Sequence, residues 1–138
     1  MPGSRLHKEV SYNPNLDYKI ILCVDDSRAT KRAVIFSTRI SKQFSADITS
    51  ITVSKTSFFG KGYRNAHIWT ERYLKRVGIT FDSRLLSGNP VDIFVKEAGE
   101  NHIIIMGKAK GNEIIKFVLG SKPIHTAQQA NCPVLLVN

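Results

Sequence analysis

The residues best equipped for chemistry stand in one stretch, "MGKAKGNEIIKFVLGSK" from Met106 to Lys122, which follows a short apolar run with three glycines and four lysines. Glycine lets backbone N–H groups turn inward around an anion and lysine supplies charge, so the combination reads as a phosphate seat. The alternative is an ordinary glycine-punctuated surface loop with solvated lysines. Lysine and serine are on offer, but no carboxylate or histidine is placed by the sequence as a base that activates water, so hydrolysis should be slow or absent.

The elements that must position this loop alternate in type. "YKIILCVDDS" opens with the continuous apolar run Ile20 to Val24, as expected of a strand buried on both faces. Asp26 or Ser27 can cap the helix that follows, on which Ala33, Phe36, Ile40 and Phe44 fall at helical spacing. "ADITSITV" reads as a second strand, and "SKTSFFGKGYRN", with Gly60 and Gly62, as a surface loop. A second helix is expected from Ala66 to Val77, stopped by Gly78. "ITFDSRLLSG" alternates like an edge strand, and Gly88, Asn89 and Pro90 turn the chain into a third helix bearing Val91, Phe94, Val95 and Ala98. "HIIIMG" is a fourth strand, Ser121 to Ala130 a last helix, and "PVLLV" a closing strand.

This alternation predicts an α/β fold: one open, mostly parallel five-stranded sheet with helices on both faces, doubly wound and Rossmann-like. Ligands of such sheets bind beyond the carboxyl ends of the strands, where strand order reverses. The loops there follow Val24, Val53 and Met106, so the glycine and lysine stretch falls where this fold class binds ligands. It is not a Walker A loop, since no G-x-x-x-x-G-K-[ST] string occurs, and the first strand ends in "VDDSRAT" without the glycine of a dinucleotide fingerprint.

With 138 residues and 42% hydrophobic composition the chain suits one domain with a proper core. Residues 1 to 16 have no apolar h-region and are expected to form a mobile arm, leaving 17–138 as the domain and a cytoplasmic location as the simplest. Apolar runs such as "IIIM" and "VLLV" are far below the ~18 residues of a membrane span. Cys23 and Cys132 give neither a disulfide framework nor metal spacing, and His7, His67, His102 and His125 are scattered. The net charge of +9 attracts polyanions, but no run of five or more cations occurs, which weakens a nucleic-acid role.

Over nearly all of Tyr18 to Val137 the sequence resembles the universal stress protein family of small α/β nucleotide-binding proteins. The resemblance rests on "YKIILCVDDS", where the family has a strand ending V-D-x-S, on "GNPVDIFVKEAGENHIIIMG", and on "LGSKPIHTAQQANCPVLLV", like its G-[ST], helix and C-P-V-L-V-V close. The family's nucleotide motif is G-x-x-G, nine residues, then G-[ST]. Gly107 and Gly120-Ser121 keep the outer spacing, while Lys110 stands at the second glycine and Gly111 follows one residue late.

The resemblance implies an ATP-binding regulator in stress response. Asp25 would sit near the ribose or adenine, Cys23, Val24 and Val53 near the base, and Met106 and Gly107 under the nucleotide. Lys108, Lys110, Gly111, Gly120, Ser121 and Lys122 would seat the phosphates, with any Mg²⁺ or Mn²⁺ held by the phosphates themselves. It also implies a homodimer through the C-terminal strand. Each residue has a plainer role open to it: Val24, Val53 and Met106 as core, Asp25 as a helix cap. Two other functions stay open, a dimeric adaptor of the same fold without nucleotide and, more weakly, nucleic-acid binding through the basic surface.

Overall fold

A computed structural model describes residues 13–107 and 132–137 of the chain. The expected last helix, and Lys108, Lys110, Gly111, Gly120, Ser121 and Lys122 of the phosphate seat, lie outside the described residues.

Five strands, β1 (Lys19–Val24), β2 (Ile48–Ser54), β3 (Phe81–Ser87), β4 (His102–Gly107) and β5 (Val134–Val137), form one sheet in the order β3-β2-β1-β4-β5. Every pairing is parallel. The expectation of "mostly parallel" is met in full, and β3 lies at an edge as its alternation required. β1 is central because its apolar run can be covered on both sides: five of its six residues are buried.

Two helices, α1 (Arg28–Phe44) and α2 (Lys61–Arg76), cover one face, and α3 (Pro90–Glu97) covers the other. The first core gathers Ile20, Leu22, Val24, Ile48 and Ile105 under Ala33, Val34 and Leu74. Across the sheet, Ile21, Cys23, Ile51, Val53, Ile104 and Met106 meet Phe94 and Ala98. The period of two along each strand sorts its side chains between these layers.

The face that α1 buries differs from the expected one. Ala29, Ala33, Ser37 and Ser41 form one buried row at i, i+4 spacing, with Thr30, Val34 and Thr38 beside it. Phe36 and Ile40 pack from the flank and Phe44 is exposed. Small residues let the helix axis approach the sheet, and bulky ones on that row would hold it away.

Helix α2 starts earlier than expected. Gly60 is its N-cap and the helix runs from Lys61, so Gly62, Tyr63, Arg64 and Asn65 are helical rather than part of a surface loop. Hydrophobic periodicity begins only at Ala66, which hid the first turn. Beneath α2 the packing is polar: the Thr52 hydroxyl lies 2.9 Å from Nδ1 of His67, and the Ser83 hydroxyl 3.3 Å from its Nε2. His67 thereby ties α2 to β2 and β3. The third helix opens as its sequence requires, with the Asn89 side chain accepting the Asp92 N–H at 3.1 Å and Pro90 in the first turn.

Candidate functional site

Strand order reverses between β1 and β4, because the chain moves outward from β1 through β2 to β3 and then returns to the other side. The last paired residues of β1 and β4 are Leu22 and Ile105, and each strand continues two residues further, to Val24 and to Gly107. Asp25 and the start of the glycine-rich stretch are therefore delivered side by side at the carboxyl edge. This is the switch-point crevice of an open α/β sheet.

Asp25 is buried and its Oδ1 is engaged locally. That oxygen accepts the Ser27 N–H at 2.9 Å and the Thr30 hydroxyl at 2.6 Å, while the Thr30 hydroxyl accepts the Asp25 N–H at 3.2 Å. Ser27 occupies the N-cap position of α1, yet its side chain makes no cap hydrogen bond. The expected cap bond from Ser27 is not made, and Asp25 and Thr30 instead brace the turn that leads into α1. Their spacing, D-x-x-x-x-T across the first turn, was the sequence feature that could have revealed it.

Gly107 is held by close packing rather than by an unusual backbone. A Cβ placed on it would stand 2.6 Å from the carbonyl carbon and 2.7 Å from the Cβ of Ala29, in the first turn of α1. No larger residue fits between the end of β4 and this helix. Cys23, Val53 and Met106 share the α3 side of the sheet, whereas Val24 belongs to the α1 and α2 side. All four are at most 3% exposed, so each is first of all a core residue.

The cysteines are not nucleophiles. Burial pushes the Cys23 thiol well above its ordinary value, helped by the Asp25 charge, and burial pushes Cys132 up to about 11. Among the described residues no three His, Cys, Asp or Glu side chains converge as a metal site. No helix among them is long and apolar enough to cross a membrane.

Beside the switch point a cleft of about 250 Å³ opens between the first turns of α1 and α2. Asp26, Ser27, Thr30 and Lys31 form one wall, and Gly62, Asn65, Ala66 and Trp69 the other. The Lys31 ammonium lies 5.1 Å from the centre of the Trp69 ring, which stacks on Tyr73 at 5.2 Å. Sequence reasoning does not reveal this cleft, because Gly62 and Asn65 of its second wall read as loop and only Ala66 and Trp69 as helix.

Against known proteins, no family model matches the chain. It is 26% identical over 151 aligned residues to the universal stress protein MJ0531 of Methanocaldococcus jannaschii, covering 96% of this chain and 88% of the relative. Its fold matches the universal stress protein of Archaeoglobus fulgidus in complex with dAMP, with a TM-score of 0.64, 16% identity, and coverage of 88% of this chain and 98% of that one. It also matches an Arabidopsis thaliana protein of the universal stress protein family with AMP bound, with a TM-score of 0.57, 16% identity, and coverage of 87% and 90%. The five-stranded parallel sheet with its β1/β4 switch point defines an open, doubly wound α/β protein. Together with the near-full-length sequence likeness to MJ0531, it makes the chain similar in fold and sequence to universal stress proteins.

Proposed function

We infer that this chain is a nucleotide-binding regulatory protein of the stress response, taking ATP or AMP in the crevice at the carboxyl ends of β1 and β4. The observation that carries the reading is the strand order, which brings Asp25 and Gly107 to adjacent strand ends at the switch point. Relatives of the same fold with AMP and dAMP bound support a nucleotide as the ligand class. In this reading Gly107, Lys108, Lys110 and Gly111 surround the phosphates with Gly120, Ser121 and Lys122, and Asp25 faces the sugar. Any Mg²⁺ or Mn²⁺ would ride on the phosphates. The protein acts as a cytoplasmic homodimer joined through β5, a short edge strand whose outer side no described strand covers.

A second reading, a dimeric adaptor without nucleotide, is favoured by one observation: Val24, Val53 and Met106, expected against the base, are already buried as core. Two measurements separate the readings. Mass spectrometry of an extract of the purified protein, with calorimetric titration of ATP and AMP, should detect nucleotide, and Gly120→Val should abolish binding in a folded chain because its branched side chain would take the anion's place. Lys110→Gly should weaken binding and flatten its salt dependence, since it removes a charged partner. An empty extract with no heat from either nucleotide leaves the adaptor standing.

A further inference from the structure

The cations that look dispersed along the sequence are gathered by the fold. Ten of the chain's 20 lysines and arginines stand on α1 and α2, against one carboxylate, Glu71. These two helices therefore carry an excess equal to the +9 of the whole chain. On α1, Arg28, Lys31, Arg32, Arg39 and Lys42 recur at offsets that fall within about 100° of one another at 3.6 residues per turn. On α2, Lys61, Arg64, Arg72, Lys75 and Arg76 do the same within about 120°. All ten are exposed, and among the described residues none makes an ion pair, in contrast to Arg84, which is held by Asp82 and Glu97. Two parallel cationic stripes, each on a helix of about 25 Å, thus lie on one layer of the molecule.

Between the stripes lies the cleft with the Trp69 wall. Asp26 offers acceptors and Asn65 both a donor and an acceptor, the complement of a base that bears an amino group. We propose that the α1 and α2 face binds single-stranded nucleic acid, with phosphates along the two stripes and one unstacked base received in the cleft against Trp69. Cationic tracks with an aromatic wall between them are the combination that holds single strands. A duplex keeps its bases stacked and has none to put in a recess. An acidic membrane would satisfy the charge but has no base to place in the recess, and the stripes themselves carry little to insert: of the exposed large hydrophobics only Ile68 lies within a stripe, while Phe58 precedes α2, Phe44 is on the far side of α1 and Leu85 and Leu135 are on edge strands. This surface is independent of the nucleotide reading, because it uses no residue of the phosphate seat.

Trp69 is the only tryptophan, so its emission reports the cleft directly. The full chain would be titrated with labelled adenine-rich RNA and DNA strands of about 15 nucleotides, following anisotropy and tryptophan emission together. Binding with quenched emission is expected, and contacts to about five phosphates would cost about a hundredfold in affinity between about 50 and 200 mM salt. The double variant Arg32→Glu with Arg72→Glu, both exposed and unpaired among the described residues, should keep its melting temperature while affinity falls at least about tenfold and the salt slope flattens. Saturating ATP should leave strand binding unchanged. The proposal is overturned if strands bind without quenching, if ATP displaces them, if heparin binds as well with unchanged emission, or if phosphatidylserine vesicles bind where neither strand does.

Discussion

Gly107 and Ala29 occupy the same space up to a single methyl group: the end of β4 touches the first turn of α1 so closely that a Cβ on Gly107 would lie 2.7 Å from the Ala29 carbonyl oxygen. The atoms it would meet are the Ala29 backbone carbonyl and the Cβ fixed to that backbone, none of which can swing aside. Gly107→Ala should therefore lower stability by about 1–3 kcal/mol through overpacking. Gly60→Ala, where nothing lies within 4 Å, is the control: the poorer N-cap preference of Ala is offset by the stiffer unfolded chain, so the change should stay under about 1 kcal/mol. Equal urea midpoints for the two variants would show that the contact yields.

Thr30 is expected to matter more than its size suggests. Its hydroxyl serves the Asp25 carboxylate and the Asp25 N–H at once, and both partners are buried. Thr30→Val keeps the shape but removes the acceptor of the Asp25 N–H and one donor to its carboxylate, which keeps the Ser27 N–H, so a loss of about 1–3 kcal/mol should appear in chemical denaturation. A neutral result would mean that water reaches the turn.

His102 makes stability depend on pH. Burial lowers its pKa, with the Lys19 charge acting in the same direction, and its Nδ1 accepts the Gly99 N–H at 2.9 Å, which requires the neutral ring. The unfolded chain thus binds the proton more readily than the folded one, so stability should be full above pH 6.5 and decline as pH falls below it. His102→Gln should flatten that slope in urea midpoints taken at several pH values. An unchanged slope would assign the acid sensitivity to other groups.

Leu135 tests the proposed dimer. It is 38% exposed on β5, an edge strand in the described sheet. Leu135→Lys should shift the protein from dimer to monomer by light scattering, since a charge on an edge strand opposes pairing with a second copy. A wild type that is already monomeric at micromolar concentration would sink the proposal.

Strand positions were legible because continuous apolar runs such as Ile20 to Val24 and Ile103 to Met106 admit few other placements in an α/β chain. The α1 packing face was not, because apolar periodicity favours Phe36, Ile40 and Phe44, whereas contact with a flat sheet selects the small residues Ala29, Ala33, Ser37 and Ser41. The first turn of α2 was hidden by Gly60 and Gly62, which read as loop until the capped helix around them is seen. At the site, Asp25 and Gly107 stand out by residue type, but their partners Thr30 and Ala29 come from another element, α1, and emerge only with the fold. The cationic stripes had a sequence signature after all, in the spacing of charge rather than of hydrophobicity.

The central position of β1 also has a kinetic meaning. Its pairing with β2 joins residues about 28 apart, as in Ile20 with Ile48, whereas its pairing with β4 joins residues about 83 apart, as in Lys19 with His102. Closing the longer loop costs about 1 kcal/mol more in chain entropy. The β1-α1-β2 unit should accordingly assemble in the rate-limiting step and β4 dock afterwards, so that shaving Ile48 slows refolding while shaving Ile104 mainly hastens unfolding. The switch-point crevice, bounded on one side by the late strand, would then be the last part of the molecule to acquire its shape during folding and among the first to lose it.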